Sequence, residues 1–156
     1  MKKETLKRIF EFLEEKENNN PPVKWKLLNH IPFPEGLEVG GGLTLSNSSI
    51  TSLPEGLKIG GYLNLHNCQD LTSLPEGLQV VGDLFLHSCK NIESLPEGLK
   101  VGGHLDLRNT TIGSLPEGLE VGGSLFIKNT ALLEYTDEKI REMIKPGFIE
   151  GKIFRQ

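Results

Sequence analysis

The sequence lacks a long apolar run and a recognisable secretory leader. No stretch approaches the roughly 20 consecutive apolar residues that a membrane-spanning helix needs. The first residues, Met1 to Arg8, are charged, and they have neither the apolar core nor the small-residue cleavage site of a secretory signal. These absences predict a cytoplasmic protein that does not bind to a membrane.

The sequence also has fewer positively charged residues than negatively charged ones. The chain has 17 Lys and Arg residues against 21 Asp and Glu residues, which gives a formal net charge of −4. General nucleic-acid binding requires a basic face that displaces counterions from phosphates, so this balance argues against a nucleic-acid partner. With 156 residues and 37% hydrophobic residues, the chain is expected to form one globular domain.

An internal repeat dominates what is present. The segment from Ser94 to Leu107 reads SLPEGLKVGGHLDL, and close copies of it recur along the chain. The steps between successive prolines are 20, 21, 21 and 20 residues, counted over Pro34, Pro54, Pro75, Pro96 and Pro116. A fixed step of this size predicts a solenoid, in which each unit is stable only when stacked on its neighbours.

Each unit contains a short strand. Leu63 and Leu65 alternate with polar residues, which predicts a strand with these leucines inward and their neighbours outward. The ninth position of each unit holds a small residue that can bond the backbone while buried: Ser48, Cys68, Cys89, Thr110 and Thr130. The two cysteines therefore lie side by side in adjacent coils, and we expect buried free thiols there because parallel in-register side chains do not readily adopt disulfide geometry.

A Ser-Leu-Pro-Glu motif followed by glycine recurs in four units, as in Ser52 to Gly56. Its spacing matches a capping box, which predicts a single helical turn. The glycine that follows predicts a reversal of the chain at positive φ.

The pattern L-x-L-x-x-(C/T/S)-x-(x)-(L/I)-x-S-L-P resembles the leucine-rich repeat in its short form of about twenty residues, with LPEGL and VGG letters. The resemblance covers Phe33 to Tyr135, in five units. It implies an α/β solenoid: a right-handed coil with a parallel β-sheet on the concave face, short turns on the convex face and helical caps at both ends. Two positions depart from the family, since glycine or Val81 stands at position one and asparagine is missing from position nine.

The ends differ from the repeats, which predicts three segments. Residues 1–32 form an N-terminal helical cap and a degenerate first coil in which Trp25 points inward, and residues 33–135 form the five repeats. Residues 136–156 form a C-terminal helical cap, with a helix from Thr136 that Pro146-Gly147 ends, and a tail. The tail either closes the end as a strand or folds back over the helix.

The variable outward positions of the strands are the candidate binding site, because the other recurring positions are used for stacking and turning. Aromatic residues and arginine among them have the composition of interface hot spots. The predicted partner-binding residues are Tyr62, Asn64, His66, Asp83, Phe85, His87, His104, Asp106, Arg108, Phe126 and Lys128. Position eight is nearly constant, which indicates a structural role instead.

Chemistry on this face is not expected. His66 and His87 lie near Asp83 and Asp106, and a histidine beside a carboxylate can serve as acid or base. However, a parallel ladder places side chains next to one another on an open surface, and zinc needs three or four converging ligands. We therefore predict no enzymatic activity, no cofactor and no metal.

The sequence favours a non-catalytic module that binds a protein partner and is itself monomeric or weakly self-associating. The family resemblance suggests a bacterial or phage protein that modulates a host or defence protein, with the host cytoplasm as its location if it is delivered or phage-encoded. Two alternatives stay open: a self-associating structural or assembly protein, and a module that binds a sugar or nucleotide.

Overall fold

The computed structural model describes residues 35–156. The predictions for residues 1–32, including the N-terminal helix and the coil around Trp25, lie outside the described residues, as do those for Phe33 and Pro34.

Short strands and turns make up most of the described chain. Each strand has two residues, and one α-helix and one 3-10 helix follow the fifth strand pair. The strands are β1 Glu38–Val39, β2 Leu43–Thr44, β3 Lys58–Ile59, β4 Leu63–Asn64, β5 Gln79–Val80, β6 Leu84–Phe85, β7 Lys100–Val101, β8 Leu105–Asp106, β9 Glu120–Val121, β10 Leu125–Phe126, β11 Phe148–Ile149 and β12 Ile153–Phe154; the 3-10 helix is Ala131–Glu134 and α1 is Asp137–Met143.

The strands form two parallel six-stranded sheets. Sheet I has the order β1-β3-β5-β7-β9-β11, and sheet II has the order β12-β10-β8-β6-β4-β2. Each coil therefore gives one strand to each sheet, which makes the described chain a β-solenoid of stacked coils. Leu63 pairs with Leu84, Leu84 with Leu105, and Leu105 with Leu125. The predicted stacking of these leucines is confirmed.

One continuous core lies between the two sheets. Leu84 and Leu86 of sheet II are fully buried, and so are inward residues of sheet I such as Ile59. The core also encloses both cysteines as free thiols, as predicted. The Cys68 thiol donates to the Leu45 carbonyl at 3.1 Å, and the Cys89 thiol donates to that of Leu65 at 2.9 Å. Burial raises the pKa of the Cys89 thiol to about 11, so this cysteine is a poor nucleophile.

Sheet I was not predicted. The sequence interpretation placed one strand in each unit, around residues such as Leu63 and Leu65, although Leu57, Lys58 and Ile59 also alternate between buried and exposed. The predicted helical turn is absent from residues 35–130. The Ser-Leu-Pro-Glu-Gly segment instead contains a turn, at Glu55 and Gly56 in one unit, and Gly56 has φ +67°. The predicted positive φ of the glycine is thus confirmed.

The corner after sheet II explains the constant eighth position. The residues there have φ between 56° and 65°, a left-handed region that asparagine tolerates better than most residues. They are Asn47, Asn67, Ser88, Asn109 and Asn129. The structural role that the sequence indicated for this position is therefore conformational.

The C-terminal segment completes a sixth coil. Thr136 caps α1, since its side-chain oxygen accepts from the backbone N–H of Lys139 at 3.2 Å. After α1, the chain adds β11 to sheet I and β12 to sheet II. Of the two predictions for the tail, the strand is the one observed.

Among residues 35–156, α1 falls far short of the length and apolar character required to cross a bilayer.

Candidate binding face

The outward side chains of sheet II form one surface, here called the strand face. Its first column is Gly42, Tyr62, Asp83, His104, Ser124 and Lys152; its second is Thr44, Asn64, Phe85, Asp106, Phe126 and Phe154; its third begins with Ser46, His66, His87, Arg108 and Lys128. All eleven sequence-predicted residues lie on this surface. They are brought together because in-register pairing repeats each position once per coil.

An ion pair occupies the middle of the strand face. The Arg108 guanidinium donates to both carboxylate oxygens of Asp106, at 2.9 Å and 2.6 Å, and the Arg108 backbone N–H also donates to this carboxylate at 3.1 Å. Neighbouring side chains leave Asp106 only 3% exposed, so it is less accessible than an outward contact residue was expected to be. Hydrogen bonding to Asp106 raises the pKa of Arg108. Asp106 therefore acts mainly by holding Arg108 in place.

Two histidines stack beside this pair. The rings of His66 and His87 have centroids 3.9 Å apart and are inclined by 22°, and the His66 Nδ1 lies 3.1 Å from the His87 carbonyl oxygen. The His87 Nδ1 lies 3.3 Å from the Asp106 Oδ2 but without hydrogen-bond geometry, so this buried nitrogen has no hydrogen-bond partner among the described residues.

The surroundings of His87 favour its neutral form. Burial is the main cause that lowers the pKa of His87, and the neighbouring His66 and Arg108 lower it further. Asp106 acts in the opposite direction but does not offset the burial, because its carboxylate is already bonded to Arg108. At neutral pH the His87 ring is thus an uncharged flat surface next to a charged arginine.

The first column of the strand face links successive coils. An Asp83 oxygen accepts from the His104 backbone N–H at 2.7 Å, and the His104 Nδ1 accepts from the Ser124 backbone N–H at 2.8 Å. The Ser124 hydroxyl in turn accepts from the Lys152 backbone N–H at 3.1 Å. Because the His104 Nδ1 is an acceptor, the proton of the neutral ring is assigned to Nε2. Two of the predicted partner-binding residues therefore also stabilise the stacking.

Aromatic rings cluster at the C-terminal end of the strand face. The rings of Phe126 and Phe154 stack with centroids 4.8 Å apart, and His104 contacts Phe126 edge-on at 5.9 Å. The Arg108 guanidinium lies 5.6 Å from the centre of the Phe126 ring, within the range of a cation–π contact. An arginine and several rings thus form one preorganised patch.

Lys152 and Phe154 belong to this patch and were missed by the sequence interpretation. A signal for them exists, because Gly151-Lys152-Ile153-Phe154 has the same pattern as Gly123-Ser124-Leu125-Phe126. The match is hidden because α1 replaces the Pro-Glu-Gly segment that marks the other coils.

A second aromatic site lies at the opposite end. Tyr62 is 46% exposed, and its hydroxyl accepts from Thr44 at 3.4 Å. Its ring covers Gly42, where an added Cβ would lie 2.5 Å from a ring carbon. Gly42 is therefore what allows the tyrosine to lie flat against the first described coil.

The described residues contain no converging metal ligands. Residues 35–156 have no group of three or more His, Cys, Asp or Glu side chains that could hold a metal ion. Two depressions, of about 220 Å³ and 430 Å³, are lined by sheet I and by the Ser-Leu-Pro-Glu segments respectively, and neither lies on the strand face. The strand face is an open surface and has the shape of a macromolecular contact area.

The architecture defines the chain, at the level of class, as a β-solenoid repeat protein. No protein-family model, curated protein or solved structure matches it.

Proposed function

We propose that this protein is a non-catalytic binding module whose strand face binds a partner protein. The observation that carries the proposal is the preorganised patch of Phe126, Phe154, His104 and Arg108. Rigid aromatic side chains and a positioned arginine contribute most of the energy in many interfaces, because little entropy is lost when they bind.

The open shape supports a macromolecule as the partner. Three outward columns over six coils give about 18 positions on the strand face, close to the roughly 20 to 30 residues per side of a standard protein interface. Cations prevail at its C-terminal end, where Lys128 and Lys152 are exposed. A complementary partner surface would carry acidic residues there.

The leucine-rich-repeat resemblance stays part of the proposal. Under it, the chain is a short-repeat member of that family, α1 and the N-terminal residues serve as end caps, and the protein acts in a bacterial or host cytoplasm on a host or defence protein. Support for these finer statements comes from the recurring LPEGL and VGG letters alone.

Photo-crosslinking from defined positions tests the strand face. A photoreactive phenylalanine analogue replaces Tyr62 or Lys128 on the strand face, or Lys58 or Gln79 on sheet I as matched exposed controls. We expect positions 62 and 128 to crosslink one common protein in the native cell, and positions 58 and 79 to leave it unlabelled. Equal labelling from all four positions would show that the strand face is not the binding surface.

Self-association is the competing function, and sedimentation separates it from partner binding. A self-assembling protein would sediment as a species larger than 17.3 kDa at micromolar concentration. Partner binding by a monomer predicts a single species of the monomer mass.

A further inference from the structure

The C-terminal end of the solenoid presents two sheet edges, that of β11 in sheet I and that of β12 in sheet II. In sheet I, carbonyl groups of each coil accept from the next coil, as when Val121 accepts from Glu150 at 2.9 Å. In sheet II, N–H groups of each coil also donate to carbonyls of the next coil, as when Leu125 donates to Lys152 at 2.9 Å. By register, the outer edge of β11 therefore presents the carbonyls of Gly147, Ile149 and Gly151, and the outer edge of β12 presents the N–H groups of Ile153 and Arg155 with the Ile153 carbonyl between them.

The edge of β11 is closed by an arginine. The Arg141 side chain, from α1, donates to the Ile149 carbonyl and, at 2.8 Å, to the Gly151 carbonyl. By register, Ile149 corresponds to Val121 and Gly151 to Gly123, whose carbonyls accept from the following coil. One guanidinium thus occupies two of the three carbonyls, those of Gly147, Ile149 and Gly151, to which a further coil would bond in sheet I.

The edge of β12 is open within residues 35–156. Ile153 corresponds to Leu125 and Arg155 to Ile127, whose N–H groups donate to Lys152 and Phe154 of the next coil. Among the described strands, β12 is the last of sheet II and has β10 as its one partner. The backbone N–H groups of Ile153 and Arg155 therefore face outward from the edge with no described residue to accept from them.

We propose that an extended segment of another protein adds to β12 as a parallel seventh strand of sheet II. Its carbonyl groups accept from the N–H groups of Ile153 and Arg155, and an aromatic side chain continues the stack of Phe126 and Phe154. Phe154 is 42% exposed, which leaves room for such a ring. Lys152, in the neighbouring column, favours an acidic residue two positions before the aromatic one.

The closed edge identifies the occupant as a single strand. A second copy of this chain stacked end on end would contribute a coil, and a coil carries one strand for each sheet. Its sheet I strand would need the carbonyls of Ile149 and Gly151, which Arg141 occupies. An isolated extended segment pairs with β12 alone, so Arg141 does not obstruct it.

A peptide with the sequence of residues 82–88, acetylated and amidated at its ends, is the probe. It reads GDLFLHS, and in the register of sheet II its aspartate lies beside Lys152 and its phenylalanine lies over Phe154. A matched peptide carries an N-methyl group on the phenylalanine amide, which removes the donor to the Ile153 carbonyl and keeps every side chain.

Titration of the 156-residue protein is followed by amide NMR shifts and hydrogen exchange. We expect saturable shifts centred on Ile153 and Arg155, and exchange of these two amides slowed about tenfold or more at saturation. The methylated peptide should bind more weakly. No saturable shift at millimolar peptide, or equal binding of the methylated peptide, would overturn the proposal.

Two matched variants test the side-chain part. Phe154→Ala should weaken the peptide about two- to tenfold through loss of the ring stack. Phe148→Ala removes a ring of similar exposure, 45%, from the closed edge of the same coil and should leave affinity unchanged. Equal weakening by both variants would refute the assigned edge.

Self-association of the peptide-free protein through Ile153 and Arg155 would refute the assigned occupant. Neither result bears on crosslinking from positions 62 and 128, so the two proposals fail separately.

Discussion

Sheet I and sheet II are built by the same coils in the same parallel register, yet their outward surfaces differ. On sheet I the outward residues form simple exposed pairs, with Lys58 bonded to Glu38 at 2.9 Å and Lys100 bonded to Glu120 at 3.0 Å. On sheet II the outward residues contact one another in stacks and a nearly buried ion pair. Stacking alone therefore does not make a preorganised binding surface, which depends on the outward side chains.

The largest expected effect concerns what the two sheets share. Leu105→Ala, inward on sheet II, should lower the free energy of unfolding by about 2–5 kcal/mol, because it leaves a cavity in a continuous core. Val101→Ala, inward on sheet I, should cost about 1–3 kcal/mol because fewer methyl groups are lost. Denaturant unfolding measures both values.

Gln79→Ala is the outward control for this pair. It should change the unfolding free energy by less than about 0.5 kcal/mol, as surface substitutions usually do. A small effect of Val101→Ala, similar to that of the control, would mean that sheet I is not part of the common core.

The next effect separates the two ion pairs. Arg108→Ala should destabilise the protein by about 1–3 kcal/mol, because it leaves the nearly buried Asp106 carboxylate without its charged partner. Lys100→Ala breaks an exposed pair and should cost less than about 1 kcal/mol. Urea unfolding of the two variants under identical conditions measures the difference.

A double variant identifies the cause. Asp106→Asn combined with Arg108→Ala removes the unpaired charge and should recover part of the stability lost in Arg108→Ala. If the double variant is no more stable than the single one, the cost comes from lost packing of the arginine stem and not from the isolated carboxylate.

The sequence was sufficient to predict the stacking and the inward leucines of sheet II. The repeat step of 20 or 21 residues predicts the stacking, because each repeated position occurs once per coil. The alternation around Leu63 predicts which leucines point inward. Sheet I was missed because two-residue strands give only one alternation, as in Leu57-Lys58-Ile59, and glycines follow at once.

The candidate residues were predicted more completely than their contacts. Outward direction follows from alternation, so the eleven positions could be listed. The burial of Asp106 could not be predicted, because it depends on the side-chain conformations of Arg108 and His87. Phe154 was missed because α1 interrupts the repeat before its coil.

The corners of the two sheets provide a smaller test. Before sheet I the positive-φ residue is glycine in the first five described coils, whereas after sheet II it is asparagine in four of these coils and Ser88 in one. Ser88→Asn should stabilise the protein by up to about 1 kcal/mol, because asparagine tolerates this backbone region better than serine. The reverse change, Asn109→Ser, should lose a similar amount, and thermal unfolding measures both. Stabilisation by both changes would rule out a backbone cause.

The smallest effect concerns acid sensitivity, which we expect from sheet II and not from sheet I. The folded protein holds the pKa of His87 below its usual value near 6.5, mainly through burial. The folded state therefore binds protons less readily than the unfolded state, and stability from this residue is complete above pH 6.5 and declines as the pH falls below it. In His87→Gln the fall in unfolding free energy between pH 7.5 and 5.5 should be smaller than in the wild type, while Gln79→Ala on sheet I keeps the wild-type slope. Because His66, Asp106 and Arg108 remain in both proteins, an unchanged slope in His87→Gln would assign the acid sensitivity to groups other than the buried ring.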